Sequence, residues 1–100
     1  MTATTDLATA RARLAALLLV FQARYDVRAF WVFGSYACGE QTAESDLDVM
    51  VDFNQAPDLN AFVEIGLDLE EELGLRVNLV MREGLKPRTL PPILRDLVPV

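Results

Sequence analysis

The chain has 100 residues, of which 52% are apolar and 24% charged, and its mean hydropathy is +0.23; this predicts one compact globular domain and argues against disorder. A net charge of −6 and a pI near 4.4 repel a phosphate backbone and disfavour autonomous nucleic-acid binding, while a nucleotide stays possible because a divalent cation can reverse the local sign. No histidine is present and Cys38 is the single cysteine, which excludes His-based zinc sites, Ser-His-Asp or Cys-His catalysis and an intrachain disulfide, and fits a reducing cytoplasm.

No charged segment followed by a cleavable apolar stretch opens the chain, so no signal peptide is expected. Thr4 or Thr5 can cap a first helix running to about Arg24, with Leu14, Leu17, Leu18, Phe21 and Tyr25 on one stripe. Leu19 and Val20 lie off it, and another part of the chain is expected to cover them, with a partner protein the alternative. The longest apolar run, Leu14 to Phe21, is too short for a membrane span.

Val27 to Phe33, β-branched and aromatic and stopped by Gly34, reads as a strand. A second strand, from about Asp46 to Phe53, alternates cleanly. Leu47, Val49, Val51 and Phe53 fall on one face, and Asp46, Asp48, Met50 and Asp52 on the other. Pro57 and Asp58 open a helix with apolar positions Leu59, Phe62, Ile65, Leu69 and Leu73, closed by Gly74. A third strand covers Leu75 to Met81, with Arg76 and Asn78 sharing a face. The proline-bearing tail leaves room only for a short helix near Ile93 to Val98. The order implies a small sheet with helices on one face and the other face free for chemistry.

Asp46 and Asp48, two apart on a strand, can converge on hard cations that clamp a phosphoryl group. Gly34-Ser35 ends the preceding strand, where glycine admits close backbone approach and serine adds an N–H and a hydroxyl. If the following turn is helical, its free N–H groups favour phosphates. Tyr36 to Ser45 separate the two motifs, enough for the chain to return antiparallel and join them.

Gly34-Ser35-Tyr36-Ala37-Cys38-Gly39 with Ser45-Asp46-Leu47-Asp48 resembles the signature of minimal nucleotidyltransferases in the DNA polymerase β-like superfamily. The similarity continues through Leu73 to Val80 and into Glu83-Gly84-Leu85-Lys86-Pro87. It implies an α+β fold, a mixed sheet of about three to four strands, palm-like, with helices on one face. It also implies Mg²⁺, ATP-type substrates and transfer of a nucleoside monophosphate with release of pyrophosphate. Gly34, Ser35 and Ser45 would then bind the nucleotide, Asp46 and Asp48 the metals. Such proteins carry a third acid where this chain has Asn78, so Asn78 would be a neutral third member of the catalytic set. Cys38 stands where arginine is common, and Lys86 or Arg88 are the nearest candidate replacements, with solvated surface charge the plain alternative.

So short a chain leaves little room for an acceptor pocket. The resemblance extends to antitoxin subunits paired with HEPN-type proteins, which implies a protein acceptor, a hetero-oligomer and modification by AMP. The apolar first helix and the segment Leu90 to Val100 are compatible with that interface. Because of Asn78, an alternative remains: an impaired, nucleotide-binding antitoxin that neutralises its partner by contact.

Overall fold

Asp6 caps the first helix, its carboxylate accepting a hydrogen bond from the Thr9 N–H at 2.8 Å. The computed structural model describes residues 6–42, 44–82 and 97–100, so the expected caps Thr4 and Thr5 lie outside the described residues. Helix α1 spans Leu7–Tyr25 and ends at Asp26, which takes the left-handed conformation (φ 61°) and returns its N–H to the Phe21 carbonyl. Ala10, Leu14 and Phe21 form its buried row, whereas Leu19 is 71% exposed and Val20 51%. The expectation that another part of the chain covers those two is corrected. Both project from the side of the helix turned away from the sheet.

Strands β1 (Val27–Phe33) and β2 (Leu47–Phe53) pair antiparallel, with Val32 opposite Val49 and Phe33 opposite Asp48. The single turn α2 (Ser35–Cys38) and the loop after it make the connection. Helix α3 (Leu59–Leu73) is capped by Asp58, which accepts from the Ala61 N–H at 2.8 Å, and is closed by left-handed Gly74. It crosses over the sheet and delivers β3 (Val77–Met81) parallel to β2, with Asp48 beside Asn78. The third strand therefore starts at Val77 and not at Leu75, since the Gly74 turn takes up the residues before it.

Ile65, Leu69 and Leu73 bury completely or nearly so, about 1.5–3 kcal/mol of transfer free energy each. Leu59, expected among them, is 76% exposed, in line at four-residue spacing with Val63 and Leu67, which are exposed as well. Helices α1 and α3 are tied by Arg13, whose guanidinium donates to the Leu73 carbonyl at 3.1 Å and the Glu72 carbonyl at 2.6 Å. The Tyr25 hydroxyl donates to Asp68 at 2.7 Å, and that bond holds its pKa above the ordinary tyrosine value.

The sheet order is β3-β2-β1-β4, the fourth strand being Val98–Pro99. It pairs antiparallel with Trp31 and Val32, and the Val100 N–H donates to the Phe30 carbonyl at 3.2 Å. The expected short helix near Ile93 to Val98 is thus corrected at Val98, which is strand. Residues 93–96 lie outside the described residues, as do Glu83 to Leu90. Pro99 is tolerated because an edge strand loses nothing where a ring replaces N–H.

The core lies between the sheet and the helices, with Leu47, Val49, Val51 and Phe53 packed among Leu14, Phe21, Ile65 and Leu69. The opposite face was expected to be free and is so only in part. Met50 is fully buried there, opposite Trp31 in the register, and Asp52 is buried with the Arg28 guanidinium 3.5 Å away. What stays accessible on β2 is its beginning, around Asp48. The result is a mixed four-stranded α+β arrangement. Among the described residues no helix is long and apolar enough to cross a membrane.

Candidate active site

Three adjacent strands place Gly34, Asp48 and Asn78 almost in a row. Phe33, just before Gly34, pairs with Asp48, and Asp48 pairs with Asn78. Gly34 has φ 73° and ψ −146°, a conformation essentially reserved to glycine. A Cβ atom at that position would overlap Oδ2 of Asp48 and lie 3.0 Å from its Cγ. Glycine is therefore what lets the carboxylate sit against the end of β1.

Past Gly34 the chain makes one helical turn, anchored by the fully buried Tyr36. Its first intrahelical bond runs from the Cys38 N–H to the Gly34 carbonyl at 3.2 Å. The N–H groups of Ser35, Tyr36 and Ala37 precede that bond and form the donor end of the turn. Ser35, half-buried, heads it. Cys38 is exposed at its far end.

Asp48 is half-buried, and one carboxylate oxygen accepts from the Asn78 amide at 3.0 Å. Burial pushes its pKa above the usual carboxylate value, the Asn78 bond opposes this, and the Asp46 charge adds to the rise. Asp46 is more exposed and precedes the strand proper. Its carboxylate pairs with Arg76, Nε to Oδ1 being 3.1 Å. Arg76 also donates to the Glu44 carbonyl, and its own carbonyl accepts from the Leu47 N–H at 2.8 Å. One arginine thus ties down the loop that presents Asp46.

Ser45 is in that loop, but its hydroxyl is engaged locally. It accepts from the Thr42 N–H at 2.9 Å, while the Ser45 N–H donates to the Thr42 carbonyl at 3.1 Å. The structure therefore gathers Gly34, Asp46, Asp48 and Asn78, and gives Ser45 a loop-shaping bond. Lys86 and Arg88 lie outside the described residues.

Arg76 escaped the sequence reading, although a signal was available. Once Asp48 pairs with Asn78 in a parallel ladder, the residues two before each must also be neighbours, which sets Arg76 beside Asp46.

The donor set suits a small hard cation. Two carboxylates stand two residues apart, an amide adjoins one of them, and burial raises the pKa of Asp48 with the Asp46 charge adding to it, so a cation there would favour the ionised form. Among the described residues no group of three or more acidic, cysteine or histidine side chains gathers; the neighbour of Asp48 on β3 is the neutral Asn78.

Comparison with known proteins agrees with this geometry. Residues 14–98 match the nucleotidyltransferase domain model. Protein adenylyltransferase MntA of Thermococcus cleftensis is 47% identical over 75 residues, 75% of this chain and 76% of that protein. A solved structure described as a minimal nucleotidyltransferase superposes with a TM-score of 0.82 at 39% identity, covering 99% of this chain and 100% of that one. A chain from the complex of tri-AMPylated Shewanella oneidensis HEPN toxin with MNT antitoxin shares the fold, with a TM-score of 0.68 at 16% identity over 90% of this chain and 70% of that one. The chain belongs to the nucleotidyltransferase domain family.

Proposed function

We propose that this protein transfers AMP from ATP to a partner protein of the HEPN type and serves as the antitoxin of that pair. The observation that carries the reading is the packing of the Asp48 carboxylate against Gly34, which sets a candidate cation ligand beside the donor end of the α2 turn. Its support from relatives is the adenylyltransferase named above and the AMPylated toxin complex sharing the fold.

In this reading Gly34, Ser35 and the first N–H groups of α2 bind the triphosphate, with Ser45 shaping the loop opposite. Asp46 and Asp48 would hold Mg²⁺, which when bound offsets charge on the phosphate oxygens. An acceptor hydroxyl oxygen attacks the α-phosphorus, the bond to the pyrophosphate oxygen breaks, and the hydroxyl proton passes to solvent. The protein's work is to align these groups and balance charge. Asn78 orients Asp48 through its amide but cannot take up the proton.

That same hydrogen bond favours a second reading, in which nucleotide binding persists, turnover is weak, and the partner is neutralised by contact. Incubation with α-labelled ATP, Mg²⁺ and the partner separates the two. Label on the partner, lost in an Asp46→Ala/Asp48→Ala double variant, supports transfer. No label, even after Asn78→Asp, sinks it, and full neutralisation by the double variant then selects the contact mechanism.

A further inference from the structure

Helix α3 carries a second apolar row that the fold leaves uncovered. Leu59, Val63 and Leu67 are 76%, 50% and 59% exposed, and at four-residue spacing they span only about 80° of the helix surface. Asp68, which holds Tyr25 and Arg24 of α1, lies on the far side of the helix from them. The row therefore faces away from α1 and out beyond β3, an edge strand of the sheet.

Gly66 sits between this row and the buried one. A glycine inside a helix costs stability relative to alanine, so it calls for a reason. Packing within the chain supplies none: φ is ordinary, and a Cβ there would meet only Leu79 Cδ2 at 3.9 Å, a normal contact. The missing side chain leaves a shallow notch over Leu79, next to Val63 on the helix surface.

The surroundings select the occupant. Helix α3 has five acids and no base. Asp68 is bound to α1 and Glu70 accepts from the Val77 N–H, while exposed Glu64 and Glu71 flank the apolar row on its solvent side. A second copy would bring the same carboxylates together, from chains each of charge −6. We infer that Leu59, Val63, Leu67 and the Gly66 notch form a docking groove for a basic amphipathic helix of a partner protein, apolar row in the groove and cations over Glu64 and Glu71. This surface is independent of the transfer chemistry proposed above.

The test uses the full chain and two synthetic helical peptides with one leucine row, flanked by lysines in one and glutamates in the other. The lysine peptide binds saturably by calorimetry and the glutamate peptide does not. Leu67→Asp weakens binding at least about tenfold, as truncation of an interface anchor does. Gly66→Ala raises Tm by a few degrees, confirming that the fold did not need the glycine, and weakens the same peptide. Peptide affinity unchanged from the parent in both Leu67→Asp and Gly66→Ala, each folded by circular dichroism, overturns the inference in favour of diffuse charge attraction. Absence of saturable binding overturns it too, as does sedimentation of the free chain as a dimer that Leu67→Asp dissociates.

Discussion

Replacing Gly34 by alanine tests the geometry of the site directly. Two costs coincide there. The backbone at φ 73° and ψ −146° is one that only glycine adopts freely, worth about 1–3 kcal/mol for any other residue. The new Cβ would also overlap Oδ2 of Asp48 and lie 3.0 Å from Cγ and 3.4 Å from Cβ of that residue. Rotating the carboxylate alone does not relieve the Cγ contact, so the side chain must turn about χ1 and surrender the Asn78 bond. The sum is about 3 kcal/mol, less up to about 1 kcal/mol because alanine stiffens the unfolded chain. That lowers Tm by roughly 8–24 °C in a domain this size. Gly39 supplies the control, with φ also 73° but nothing within 4 Å of an added Cβ. Gly39→Ala should cost only the left-handed strain, about 1–2 kcal/mol. Melting curves and label transfer from α-labelled ATP are measured on both. If the two variants melt together and Gly34→Ala still transfers, the Gly34–Asp48 contact is not what builds the site.

Asp48→Asn should abolish transfer yet raise Tm at pH 7. The folded carboxyl has its pKa above the ordinary aspartate value of 3.8, so just above pH 3.8 the native state keeps a proton the unfolded chain has lost. The parent's stability therefore falls as pH rises through that window, and melts across pH should show parent and variant converging below it. Asn78→Asp exchanges a hydrogen bond for a third negative charge; without Mg²⁺ it should lower Tm, and with Mg²⁺ regain it while transfer increases, as calorimetry and the label assay will report. Arg76→Met removes an ion pair exposed on both sides, so Tm should stay within a few degrees. Amide exchange at Asp46 and Leu47 should nevertheless quicken as the loop loses its tie. Asp6→Ala deletes the α1 cap and should cost about 1 kcal/mol, roughly 4–8 °C in Tm.

The strands that frame the site were readable because their pattern has a simple physical source. Val27 to Phe33 is bounded by left-handed Asp26 and by Gly34, and both limits match the structure. Glycines at 34 and 74 mark positive φ and were visible as breaks. Periodicity misled where burial depends on neighbours outside the pattern. Met50 and Asp52 carry the alternation of an open face, but Trp31 and Arg28 from β1 close over them. Leu59 carries the period of a buried row but lies at the edge of that stripe, in line with the exposed Val63 and Leu67.

Register is the step on which the chemistry turns. Alternation says which residues share a face, but not which residues on different strands meet. Only the parallel pairing of β2 with β3 turns Asp48 and Asn78 into partners and, two residues earlier, Asp46 and Arg76. Asn78 then stops being an odd amide in an apolar strand. It sits beside Asp48 in the parallel ladder and acts as a neutral donor to it. A carboxylate there would repel Asp48 until a cation arrived, while the amide orients Asp48 without one. An amide at position 78, compared with a carboxylate, would therefore trade cation affinity and proton acceptance for an Asp48 already oriented without a cation. The Asn78→Asp melts with and without Mg²⁺ measure that trade: no difference between them would mean that residue 78 does not face the cation.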